Sequence, residues 1–180
     1  LKFKDPVEAV KQTVEEIRKN EKVDMIACVS HGGTWEDENK SEDEILAKEV
    51  PDIDLIISGH THTTLEQPII HGNTVIASAG CYGANLGEMS LVPDGDGRWT
   101  LEEYKLKAMD GTVEKDADIE AELAQYRSVI DEEYLSRFGY TMNQVLAEND
   151  VAFDLVDDMY AEHREAGLGN LISDSYIYAV

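Results

Sequence analysis

The chain has 180 residues, 42% hydrophobic and 29% charged, with 38 acidic and 15 basic side chains and a net charge of −23. This is globular rather than disordered composition, and the length suits one domain, or one domain with a piece of a second. A body of this charge repels a phosphate backbone, and its longest basic cluster is Arg18-Lys19, which argues against a nucleic-acid polymer as partner. No apolar run approaches the ~18 residues that cross a bilayer. The chain opens Leu1-Lys2-Phe3-Lys4-Asp5-Pro6, with neither an initiator Met nor a signal peptide, and reads as the interior of a longer protein.

Asp5-Pro6-Val7-Glu8 is a helix start: Asp5 caps, Pro6 suits the first helical position and Glu8 completes a capping box. Val7, Val10, Val14 and Ile17 then give one apolar stripe to about Lys19. Val23–Val29 is expected to be a buried strand, with Cys28 a buried thiol, ending at Ser30-His31-Gly32-Gly33. The acidic stretch Glu36–Glu44 is expected to be solvated. Within it, Ser41-Glu42-Asp43-Glu44 reads as a second capping box leading a short helix through Ile45, Leu46 and Val50, which Pro51 stops. Ile53–Ile57 is a second buried strand and ends at Ser58-Gly59-His60-Thr61-His62.

The pattern then turns to hairpins. Ile69-Ile70 and Thr74–Ala77 flank His71-Gly72-Asn73, and Ala79–Gly83 is a Gly-rich loop. Met89–Val92 and Trp99–Leu106 flank Asp94-Gly95-Asp96-Gly97, a plain turn without the 12-residue loop and closing Glu of an EF-hand. Asp118 to about Phe138 is expected to be one long helix, with Ile119, Leu123, Tyr126, Ile130 and Tyr134 on one side and Gly139 at its end. Gly167-Leu168-Gly169-Asn170 reads as a loop running into a last helix.

Two buried strands thus each end in a histidine beside glycine, where ligands sit in α/β sheets. The His60/His62 pair, two residues apart, can aim its imidazoles at neighbouring ions, and neutral imidazole suits Zn, Mn, Fe or Ni. Ser30-His31-Gly32-Gly33 followed by Gly59-His60-Thr61-His62 resembles the last two motifs, S-H-x-G and G-H-x-H, of the calcineurin-like metallophosphoesterases. Val75–Gly87 resembles the segment after G-H-x-H in the 5′-nucleotidase and 2′,3′-cyclic-nucleotide phosphodiesterase branch. His163–Asp174 resembles the opening of that branch's C-terminal substrate domain, with Gly167 where members commonly carry Asn.

The resemblance implies an α/β fold: the C-terminal half of a metallophosphoesterase sandwich, two sheets flanked by helices, over 1–112, a linker helix over 113–139, and the start of the substrate domain over 140–180. It implies hydrolysis of nucleotide phosphate esters at a site of two divalent ions (Mn, Zn, Fe or similar) bridged by water or hydroxide. His31 and His60 would ligate one ion and His62 the other, and Arg164 would touch substrate. The family's D-x-H, G-D-x-x-D and G-N-H-[DE] motifs do not occur; the residues two before each histidine are Val29, Ser58, His60, Ile69 and Ala161. The bridging aspartate, the asparagine ligand and the leaving-group histidine would then belong to a missing N-terminal half, the chain alone would be inactive, and no catalytic residue beyond the metal ligands would lie in it. His71 and His163 match no ligand motif and read as exposed. The resemblance also favours an exported parent: extracellular, cell-wall or periplasmic. A second reading stays open, a non-catalytic or degenerate fragment whose histidines bind metal structurally or adventitiously. The upstream sequence separates the two.

Overall fold

The computed structural model describes residues 2–155 and 165–179. The chain divides into two compact units, Leu1–Glu114 and Lys115–Val180.

The first unit is α/β, as expected. Helix α1 spans Pro6–Asn20, and Asp5 caps it, its carboxylate accepting from Glu8 N at 3.0 Å. Strand β1 covers only Ala27–Ser30, shorter than the Val23–Val29 expected. The preceding backbone has other partners: Asp54 Oδ2 accepts from Ile26 N at 2.8 Å, and Asp24 O accepts from Trp99 Nε1 at 2.8 Å. Groups satisfied by side chains have no need of a ladder. Helix α2 is Glu42–Glu49 and strand β2 is Leu55–Ser58. Strands β3 (Ile69–His71) and β4 (Thr74–Ala77) form the expected hairpin, turning at Gly72 with φ +59°. The order is β1-β2-β4-β3, with β1, β2 and β4 parallel. Strands β5 (Asn85–Pro93) and β6 (Trp99–Ala108) form a second, antiparallel sheet, longer than expected and with a bulge at Ser90/Leu91. At its turn, Asp94 Oδ1 accepts from Asp96 N and Arg98 N.

Register explains the layers. Cys28, Ile56 and Ile76 are side by side on one face of the four-stranded sheet. They pack under Val14 of α1, Leu46 and Ala47 of α2, and Val50, which caps α2. Each fully buried isoleucine contributes about 1.5–3 kcal/mol. On the other face, Leu55, Ile57 and Ala77 line a cleft with Gly87, Met89 and Tyr104 of the second sheet, and Tyr104 donates its hydroxyl to Leu65 O at 3.0 Å. That cover is partial: Val29 is 82% exposed. Cys28 is half-buried rather than fully buried.

In the second unit, Asp116 caps helix α3, Ala117–Glu133. The expected single helix to Phe138 instead tightens into a 3-10 turn, Leu135–Phe138, closed by Gly139 at φ +76°. Its apolar side, Ile119 to Tyr134, is exposed. The last helix, Gly167–Ala179, begins at the first glycine of the Gly-Leu-Gly-Asn run, so these residues form its first turn and not a loop before it.

Candidate metal centre

Ser30 and Ser58 are register partners at the ends of β1 and β2. The chain therefore leaves the sheet at the same edge twice, and His31 and His60 come together with ring centroids 5.0 Å apart and planes at 62°. Gly59 N donates to Ser30 O at 3.0 Å and joins the two loops. The approach is tight: a Cβ on Gly59 would be 3.2 Å from His31 Nδ1, so the ring would have to give by a few tenths of an ångström.

A glycine also packs the second loop against the first. A Cβ on Gly33, at φ +99°, would be 2.5 Å from Thr61 Cγ2. Thr61 Oγ1 accepts from Thr34 N at 3.3 Å and from the Thr63 hydroxyl at 2.9 Å. His60 and His62, on either side of Thr61, have φ of +69° and +57°. Left-handed backbone at non-glycine residues costs about 1–3 kcal/mol each and persists where surrounding structure holds it. Tyr82 of the Gly-rich loop is a third such residue, φ +58°, and its ring meets His62 edge-on at 5.2 Å. All three motif histidines are exposed, and among the described residues none of their rings has a hydrogen-bond partner. Two unengaged imidazoles at this separation can each approach one shared ion to the ~2 Å of a metal–nitrogen bond, so the donor set fits a divalent metal. His163 and Arg164 lie outside the described residues.

The acidic stretch departs from expectation where it enters α2. Ser41, Asp43 and Glu44 are buried, with Asp43 1% exposed. Ser41 makes no capping bond to the helix; its hydroxyl accepts from Trp35 N at 2.7 Å and donates to Trp35 O at 3.0 Å. Asp43 turns into the His31 loop and takes hydrogen bonds from Ser30 and Gly33. Burial first, and the Asp43 charge second, push the Cys28 thiol above its ordinary value. His71 is likewise not the exposed histidine expected. It ends β3, half-buried, with Nε2 2.7 Å from Glu44 Oε2. Among the described residues, Glu38, Glu44 and His71 are the one group of three potential ligands whose ligand atoms lie within 4.8 Å of one another. Lys48 already occupies Glu38 at 3.0 Å and holds its carboxyl below the usual range, by hydrogen bond first and charge second. His71 pairs with Thr74 at the start of β4, the edge opposite the one where His31 and His60 emerge.

One signal for Asp43 was present in the sequence. Asp43, Leu46, Ala47 and Val50 repeat at helical spacing, so Asp43 extends the buried stripe of α2. Nothing comparable marks the His71–Glu44 pair, which joins residues 27 apart.

No family model matches the chain. The trifunctional nucleotide phosphoesterase protein YfkN of Bacillus subtilis is 31% identical over 180 residues, covering 97% of this chain and 11% of that protein. A 5′-nucleotidase-related protein of Glossina morsitans morsitans is 29% identical over 199 residues, covering 99% of this chain and 33% of that one. The crystal structure of a 5′-nucleotidase precursor from Thermus thermophilus superimposes with a TM-score of 0.70 over 98% of this chain and 35% of its own, at 24% identity, a likeness of fold. The chain spans about a third or less of the length of each.

Proposed function

We propose that this chain, a segment of the 5′-nucleotidase-type metallophosphoesterases by sequence and fold, supplies the histidine half of a dinuclear site in a parent enzyme that hydrolyses nucleotide phosphate esters. The observation that carries the reading is the pairing of strand-end His31 and His60 at 5.0 Å, with His62 two residues on. His31 and His60 would hold one divalent ion and His62 the other. Two such ions, when bound, neutralise phosphate charge and make a water nucleophilic at neutral pH. The chain's own part is to fix the imidazoles: Gly33 and Gly59 let the loops meet, and the Thr34–Thr61–Thr63 hydrogen bonds hold the turn on which both G-H-T-H histidines stand.

The remaining ligands would come from a preceding segment of the parent. Among the described residues strand β1 is an unpaired edge, and Val29 and Ile57 are exposed on one face, whereas parallel sheets are normally covered on both. We assign 1–112 to the second half of the metallophosphoesterase domain, 113–139 to a linker helix and 140–180 to the start of a substrate domain, with Arg164 a substrate contact. The ions are Mn, Zn, Fe or similar, and the parent is exported. The test is turnover of nucleoside monophosphates and a 2′,3′-cyclic nucleotide by the parent protein, with metal content measured in parallel. His60→Ala and His62→Ala should each remove most activity, and the His31→Ala/His60→Ala double variant should be little worse than either single, since groups acting as a unit are non-additive. Wild-type turnover and full metal content in His60→Ala would overturn the reading.

A further inference from the structure

The geometry points to Asp43 as a positioning residue that fixes His31, and through it His60, for metal binding; the inference rests on the metal-centre reading above. Asp43 lies in the first turn of α2 and is 1% exposed. Among the described residues no cationic side chain pairs with it, and its carboxylate bonds run to the loop that carries His31. Oδ1 accepts from the Ser30 hydroxyl at 2.5 Å and Oδ2 from Gly33 N at 3.0 Å. The Ser30 oxygen in turn accepts from Gly32 N at 3.0 Å, and Asp43 N donates back to Gly33 O at 3.2 Å. The residues on both sides of His31 are therefore tied to one carboxylate.

The brace reaches the second loop as well. Ser30, held by Asp43 through its side chain, accepts Gly59 N through its carbonyl at 3.0 Å, one residue before His60. The approach is close enough to require glycine, since a Cβ on Gly32 would be 2.9 Å from Asp43 Oδ1. A buried charge without a counter-charge is costly unless hydrogen-bonded, and the donors that satisfy this one are those that fix the histidine loop.

The competing role is purely helical. An acidic residue in a first turn favours its helix by charge alone, and exposed Glu42 next to it serves as the control. The experiment is zinc titration of the parent protein by calorimetry, with the His31 and His60 ring nitrogens followed by NMR. Asp43→Asn keeps the size but has one acceptor oxygen for two donors, and should weaken zinc binding about 10-fold or more, as loss of outer hydrogen-bond partners does at metal sites. Its His31 ring signals should broaden while the fold, read from the amide spectrum, persists. Ser30→Ala keeps the charge and the Gly33 bond; it should weaken zinc less and covers the case in which Asp43→Asn does not fold. Glu42→Gln should leave zinc binding unchanged. Wild-type zinc affinity in both Asp43→Asn and Ser30→Ala, or in Ser30→Ala alone if Asp43→Asn does not fold, overturns the positioning role and leaves the metal-centre reading standing. Failure of the unaltered parent to bind zinc through His31 and His60 overturns that reading and this inference together.

Discussion

Replacing Gly33 by Ala tests the joint between the two histidine loops. The new Cβ would lie 2.5 Å from Thr61 Cγ2 and 3.2 Å from Gly59 O, at φ +99°. The backbone conformation alone costs a non-glycine residue about 1–2 kcal/mol. Relieving the clash adds an overpacking cost of about 1–3 kcal/mol. Together they predict a loss of about 2–5 kcal/mol. Gly72→Ala separates the terms: its φ is +59° and nothing lies within 4 Å, so it should cost only the conformational part, about 1–2 kcal/mol. Thr61 stands between His60 and His62, so displacing it moves both imidazoles, and Gly33→Ala should also weaken zinc binding about 10-fold or more. Urea unfolding reads the stabilities and calorimetric zinc titration the site. A Gly33→Ala variant that matched Gly72→Ala in both, or lost stability while binding zinc like wild type, would refute the role of this joint.

Ile56→Ala, at a fully buried position between the helices and the sheet, should cost about 2–5 kcal/mol in urea unfolding; a cost near zero would contradict the assigned core. His71→Ala leaves the Glu44 carboxylate, 8% exposed, without its partner and should cost about 1–3 kcal/mol, with zinc affinity at the strand ends unchanged; a lost affinity would tie His71 to the metal centre. The Cys28 thiol is raised in the fold, so above the unfolded thiol value the unfolded chain has released a proton that the native chain keeps. Stability from this group is then present below about pH 8.5 and falls as pH rises beyond it. Cys28→Ala should flatten that alkaline decline, and an unchanged slope would contradict the burial argument.

The parts of this fold legible in sequence are those set by local chemistry. Asp5 caps α1 because its carboxylate reaches the free amide of Glu8, three residues on, with no distant partner needed. The Gly72 hairpin and the Gly139 stop follow from residues that accept left-handed backbone. His31 and His60 were legible as a pair because two apolar runs each end in histidine beside glycine. The misread parts depend on distant partners. Ser41-Glu42-Asp43-Glu44 satisfies a capping pattern, yet Ser41 serves Trp35 and Asp43 serves the loop after β1. Val23–Ile26 has strand composition, but Asp54 and Trp99 take its backbone groups first. His71 gave no sign of Glu44, whose burial is decided by how α2 packs on β3 and β4.

On this reading the strand-end histidines hold a divalent ion. Anomalous X-ray diffraction from crystals of the parent protein grown with zinc, collected at the zinc edge, tests it most directly. A peak is expected about 2 Å from imidazole nitrogens of both His31 and His60, and a second near His62 at the ~3.5–4 Å spacing of two-metal sites. Zinc bound at Glu38, Glu44 and His71 with none at His31 and His60 would contradict it.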